Sequence, residues 1–269
     1  MAAQSDVLEG FEATTVELLG RSKLVYRLGS GPAVIVLSEV PGITPLVAQL
    51  ARRIAAAGMC VSMPHLFGDD GREPTAGYLY ASIAKICVSR EFTLLATGRS
   101  SRVVEWLRAL ARLEHDRCGG PGVGVVGMCL TGGFGLAMLA DAPVIAPVLA
   151  EPSLPFSLGA RRAADLGCSA AELSIAKAKA RDGVRVLGLR FTHDPMVRSE
   201  RFESLRRELG DGFVAVELDS SPGNPYGHRK GAHSVLTEDL ADREGSPTRA
   251  ALATVLEFLA TRLGVAATS

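Results

Sequence analysis

Charge of one sign is what this chain lacks most plainly: 29 Lys and Arg balance 29 Asp and Glu. Without a basic excess there is no global attraction to a polyanion, so no nucleic-acid partner is expected. Cysteine is sparse, and Cys60, Cys87, Cys118, Cys129 and Cys168 contain no C-x-x-C pair. That argues against a zinc site or a disulfide framework and for a reducing compartment. No two histidines have the close spacing of a metal site on one helix, so no metal is expected. The opening stretch MAAQSDVLEGFEATT has neither a basic n-region nor an apolar h-region, and no signal peptide is read there. Long apolar runs are missing too. The longest, Ala142 to Ala150, is broken by Pro143 and Pro147 and is far too short for a bilayer. The expectation is a cytoplasmic protein with no membrane segment, and no internal repeat or low-complexity tract is found.

What is present is apolar content for one large core, 47% of 269 residues, which predicts a single domain over residues 1–269. The chain is organised around GVGVVGMCLTGGFGLAMLA, Gly122 to Ala140. Val123 to Val126 suits a fully buried strand, and Leu130 to Ala140 a helix. Between them Cys129 is preceded by Gly127 and followed by Gly132 and Gly133. A strand turning sharply into a helix at a nucleophile is a nucleophile elbow, whose neighbours must be small so that strand and helix can approach. The amide end of the following helix carries partial positive charge, which suits an anionic sulfur. A bland reading exists, because most cysteines of this kind are inert core. The glycines Gly122, Gly124 and Gly127 also spell G-x-G-x-x-G, but turn residues precede them and the apolar strand lies inside the motif. A dinucleotide site is therefore rejected and no cofactor is expected.

Strands alternate with helices along the rest of the chain. Thr14 to Leu28 reads as one or two edge strands, Ala33 to Leu37 as a buried strand, and Thr44-Pro45 as the cap and first residue of a helix closing at Gly58. Met59 to Met63 is a strand followed by a long loop. Tyr78 to Val88 and Ser100 to Leu113 have helical spacing. After the elbow, Val144 to Leu149 is a strand and Glu151 to Gly167 an excursion bearing proline and arginine. Ala170 to Arg181 and Ser199 to Leu209 are helices, Val184 to Phe191 and Phe213 to Leu218 strands, and Pro247 opens the last helix. This alternation predicts an α/β protein with a mostly parallel sheet covered by helices on both faces.

A thiol nucleophile needs a base, and the base an orienting acid. Asp194 follows the strand that ends at Phe191, and His233 lies in the loop after the next strand. The order Cys129, Asp194, His233 is that of an α/β-hydrolase triad. Each member alone has an ordinary explanation: Asp194 before Pro195 as a turn former, His233 as a surface residue. His228, in the same loop, is the alternative base. His65 stands at a strand end, His193 beside Asp194, and His115 at a polar helix end.

Four segments carry a resemblance: Leu37 to Gly42 (LSEVPG), Gly127 to Gly133 (GMCLTGG), His193 to Pro195 (HDP) and Gly231 to Ser234 (GAHS). They resemble the dienelactone hydrolase family, over most of the chain from about Leu28 to the last helix. The resemblance implies the α/β-hydrolase fold and a triad of Cys129, Asp194 and His233. It also implies a glutamate beside the thiol, matched by Glu39, that exchanges a proton with it when substrate binds. The oxyanion donors implied are the backbone N–H groups of Val40 and Leu130. At this stage the expected partner is a small-molecule lactone, ester or thioester. The alternative is a non-hydrolytic protein that binds or reshapes a small ligand.

The sequence departs from that family at three points. Thr237 stands four residues after His233, where the family's type enzyme has a carboxylate-binding arginine. A second pocket arginine has no secure counterpart, Lys85 and Arg90 being the nearest candidates. Thr131 separates Leu130 from the glycine pair.

Overall fold

The computed structural model describes residues 7–87, 101–141, 143–154 and 159–266. Val88 and Ser100, where two expected helices end and begin, lie outside these residues, as do Arg90 and the side chain of Lys85.

The elements in chain order are β1 (Glu12–Leu18), β2 (Arg21–Leu28), β3 (Ala33–Leu37), α1 (Pro45–Ala56), β4 (Cys60–Pro64), α2 (Ala76–Cys87) and α3 (Arg102–Cys118). Then follow β5 (Val123–Met128), α4 (Gly132–Met138), β6 (Val144–Ala150), α5 (Ala160–Ala163), α6 (Ala170–Arg181), β7 (Val186–Phe191), α7 (Ser199–Leu209), β8 (Phe213–Leu218) and α8 (Pro247–Leu263). The strands form one sheet in the order β1-β2-β4-β3-β5-β6-β7-β8. β1 and β2 run antiparallel at one edge; from β4 to β8 every pairing is parallel.

The chain makes these elements for local reasons. Thr44 caps α1, its hydroxyl accepting from the Val47 N–H, and Pro45 takes the first helical position. Ser101 does the same for α3 through the Val104 N–H at 3.2 Å. β3, β4 and β5 are buried at every residue, as strands with helices on both faces must be. One apolar cluster joins Trp106, Leu107 and Leu110 of α3 and Phe134 of α4 to Ile35 and Val125. The other joins Val47 and Ile54 of α1 and Leu252, Val255 and Leu259 of α8 to Val34 and Val126. Alternate residues of β3 and β5 thus serve opposite faces, as the period of a strand requires.

Two differences from the sequence reading bear on the site. β5 runs on to Met128, two residues past Val126, so the turn begins at Cys129 itself. Cys129 to Thr131 then form one turn of 3₁₀-helix before α4. Among the described residues, no helix is long and apolar enough to cross a membrane.

Candidate active site

β3, β5, β6 and β7 are parallel neighbours, so their carboxyl ends open onto one edge of the sheet. Every residue of the candidate site leaves from that edge or from the loop after β8. Parallel sheets place ligands there because the loops splay apart where the strands stop.

Cys129 is the first residue beyond β5. It is 6% exposed and has φ of 53°, a left-handed conformation that costs a residue with a side chain about 1–3 kcal/mol. The turn survives because its neighbours hold it. A Cβ on Gly127 would come within 2.4 Å of the Thr131 carbonyl oxygen, and one on Gly132 within 2.6 Å of Pro152 Cα. Thr131, one of the departures noted in the sequence, has a place in this arrangement. Its fully buried hydroxyl accepts from the Met128 N–H at 3.0 Å and lies 3.0 Å from the Leu37 carbonyl oxygen. It staples the elbow to the end of β3.

Asp194 and His233 meet directly. The carboxylate, 3% exposed, lies 2.7 Å from His233 Nδ1 through Oδ2, and its other oxygen accepts from the Met196 N–H at 2.8 Å. Nδ1 therefore carries the proton, leaving Nε2 as the ring's free valence, and that atom is buried without a hydrogen-bond partner among the described residues. Burial by itself would lower the His233 pKa. The negative charge of a Cys129 thiolate and the hydrogen bond to Asp194 outweigh it and push His233 well above the ordinary histidine range. A negative sulfur at Cys129 and a protonated His233 thus favour each other.

His228, the alternative base, does not reach Asp194. Its Nδ1 lies 2.7 Å from the Asp219 carbonyl oxygen, and its ring packs edge-on against Phe191. His65 pairs with Asp70, His115 with the Gly120 carbonyl, and His193 with the Thr192 hydroxyl.

Glu39 is 4% exposed at the end of β3. Its carboxyl is engaged by the hydroxyls of Ser234, at 2.5 Å, and Thr237, not by the thiol. Burial pushes its pKa up despite these two bonds, which pull the other way. Thr237 occupies the position of the missing arginine with a buried hydroxyl that donates to Glu39. Arg198, four residues after Asp194, is paired with Glu200 at 2.9 Å and half exposed. Val40 follows β3 and Leu130 follows β5, two strands that pair directly at Leu37 and Gly127.

The loop after β6 is the part of the site that the sequence did not signal. Ser153 donates its N–H to the Cys129 carbonyl at 2.9 Å, and its hydroxyl lies 3.3 Å from the Cys129 sulfur. Glu151, fully buried with φ of 37°, accepts from the Val235 N–H at 3.2 Å, two residues past His233. Arg201, 2% exposed on α7, donates to the carbonyl oxygens of Pro152 (2.5 Å), Asp165 (2.7 Å) and Arg162 (3.0 Å). Asp239 steadies the loop from below, accepting from the N–H groups of His233 (2.8 Å) and Ser234 (3.2 Å). Glu151, Ser153 and Arg201 carry no local signature, since each acts through a partner distant in sequence.

The model of the dienelactone hydrolase family matches residues 19–262. The chain belongs to that family. No curated protein matches it. Among solved structures it is similar to a Klebsiella pneumoniae protein classed as a dienelactone hydrolase, with a TM-score of 0.61 at 18% identity over 93% of this chain and 98% of the other. It is also similar to a dienelactone hydrolase-like promiscuous phosphotriesterase from metagenomic libraries (TM-score 0.56, 19% identity, 94% and 99% covered). A third is a cold-adapted esterase from an Arctic intertidal metagenomic library (TM-score 0.57, 15% identity, 94% and 93% covered). At these identities the structural likenesses establish the α/β-hydrolase fold, and the family match places the chain in the dienelactone hydrolase family. Among the described residues no group of His, Cys, Asp and Glu could hold a metal ion. A cavity of about 380 Å³ borders Phe67, Gly68, Arg72 and Tyr78; none of the triad residues lines it.

Proposed function

We propose that this chain hydrolyses a small-molecule lactone, ester or thioester, with Cys129 as nucleophile, His233 as base and Asp194 as orienting acid. The observation that supports this most is the Asp194–His233 contact at 2.7 Å, which leaves the other imidazole nitrogen buried and unpartnered among the described residues, together with Cys129 in a left-handed turn. The Cys129 thiolate attacks the carbonyl carbon, and the N–H groups of Leu130 and Val40 hold the oxygen as it becomes negative. Collapse of the adduct breaks the bond to the leaving oxygen or sulfur, which takes a proton from His233. The acyl group is then on Cys129. His233 next removes a proton from water, the resulting hydroxide attacks the acyl carbon, and the carboxylic acid leaves as the thiol is restored. Asp194 keeps Nδ1 protonated throughout, so Nε2 does the exchange. Glu39 stands beside this chemistry as a buried acid.

Hydrolysis of p-nitrophenyl acetate by the wild-type chain, abolished in Cys129→Ala, supports this reading. A folded wild-type protein that turns over no member of a lactone, ester and thioester panel contradicts it, and favours a protein that binds a small ligand without turnover.

A further inference from the structure

Glu151 is a fully buried carboxyl that leaves the sheet beside Cys129 and has no part in the proposed reaction. It starts the loop after β6, and its neighbour along the sheet is Cys129: Met128 and Ala150 are paired across β5 and β6, and the next residue of each strand turns out of the sheet. Four contacts fix this loop. The Glu151 N–H donates to the Leu189 carbonyl at 2.8 Å, Ser153 N–H to the Cys129 carbonyl, Arg201 to the Pro152 carbonyl, and Glu151 Oε2 accepts from Val235. The remaining oxygen, Oε1, is buried and has no hydrogen-bond partner among the described residues.

The groups that face Glu151 come from three other elements. Glu39 arrives from the end of β3, Cys129 from the end of β5, and His233 from the loop after β8. Asp194 stands behind His233, and the Arg201 guanidinium is spent on three carbonyl oxygens. Burial, and then the charge of Glu39, push the Glu151 carboxyl well above the carboxylate range; the charge of His233 opposes them without prevailing. An anion here would have one backbone N–H for a partner and two acidic groups for neighbours. It would also oppose formation of a thiolate at Cys129, because like charges at close range disfavour each other.

We infer that Glu151 is a positioning residue that works as a neutral carboxylic acid, tying the His233 loop to the strand end beside Cys129 without adding charge to the thiol–imidazole pair. The inference rests on the reading of Cys129 and His233 as the reacting pair. In this role the carbonyl oxygen accepts from Val235, and the proton stays on the buried oxygen. Glutamine reproduces both the shape and the neutrality, whereas leucine keeps only the bulk.

The test is the rate at which iodoacetamide alkylates Cys129, followed by peptide mass spectrometry across pH in the full chain. This readout requires no ester turnover, so a protein that hydrolyses nothing can still pass or fail it. In Glu151→Gln the midpoint of the alkylation profile stays where it is in the wild type, with rates at neutral pH within about twofold. In Glu151→Leu alkylation slows by roughly tenfold, and Glu151→Gln stands as the conservative rescue. A midpoint that drops by about one unit or more in Glu151→Gln means a negative charge was removed and overturns the proposal. Wild-type behaviour of Glu151→Leu overturns it as well. Should the leucine variant not fold, the infrared difference between wild type and Glu151→Gln at neutral pH decides: loss of a protonated carboxyl band supports the proposal, loss of carboxylate bands overturns it.

Discussion

Cys129 and Glu151 leave two neighbouring parallel strands at the same level, and both do so with positive φ, 53° and 37°. Side by side, the two turns direct one buried thiol and one buried carboxyl at the same edge of the sheet. Strain of about 1–3 kcal/mol at each persists only where the surroundings over-determine it. Here they do: Thr131 pins the first turn to β3, and Arg201 and Val235 pin the second to α7 and the His233 loop. Cys129 and Glu151 are thereby held at strand ends, and the loop that carries His233 is tied to them through Val235.

The base is tested by comparing two histidines five positions apart. His233→Ala should lower turnover by about 10² or more, the effect of losing a general base. His228→Ala should do much less, because His228 faces the Asp219 carbonyl and Phe191. A reversed order in steady-state kinetics of the two variants contradicts the assignment.

Stability should carry the mark of the buried carboxyls. The folded chain keeps the proton on Glu151 above the pH at which the unfolded chain, with a carboxyl pKa of about 4.3, gives it up. Unfolding then releases a proton, so the stability this group confers is full below that pH and is lost as pH rises toward the folded value. Glu39, also raised by burial, contributes with the same sign. Glu151→Gln should match the wild-type Tm at about pH 4 and exceed it at about pH 7. Parallel Tm curves for the two proteins would show that Glu151 titrates normally.

Substrate charge is the third test. A charge-assisted arginine clamp on a carboxylate is worth about 1.5–3 kcal/mol, or roughly tenfold and more in binding. Thr237 uses its hydroxyl on Glu39, and Arg198 is taken by Glu200, so neither supplies that clamp. A neutral lactone should therefore be turned over at least as well as cis-dienelactone of similar size. A strong preference in kcat/KM for the acidic substrate would mean that another basic group binds its carboxylate.

What the sequence made legible follows from where information is local. The elbow announces itself because Gly127, Cys129, Gly132 and Gly133 must all lie within seven residues for strand and helix to approach. The Asp194–His233 contact was legible because Asp194 lies just past an apolar strand and His233 in the loop after the next, in the order the fold imposes. Helix starts at Pro45 and Pro247 were equally local. Glu151 was not legible: a glutamate before a proline reads as a solvated loop, and only its positive φ turns it inward. Arg201 was missed because an arginine on an amphipathic helix is ordinarily exposed, and its three carbonyl partners come from residues 36 to 49 positions away. Thr131 read as a departure from the glycine pattern until the carbonyl of Leu37 was beside it.

The central claim is that Cys129 carries the acyl group and His233 frees it. It is tested most directly by trapping. In His233→Asn, where deacylation is slowed, p-nitrophenyl acetate should leave one acetyl group, and tandem mass spectrometry should place it on Cys129. Acetyl found on another residue, or turnover that persists in Cys129→Ala, would contradict the account.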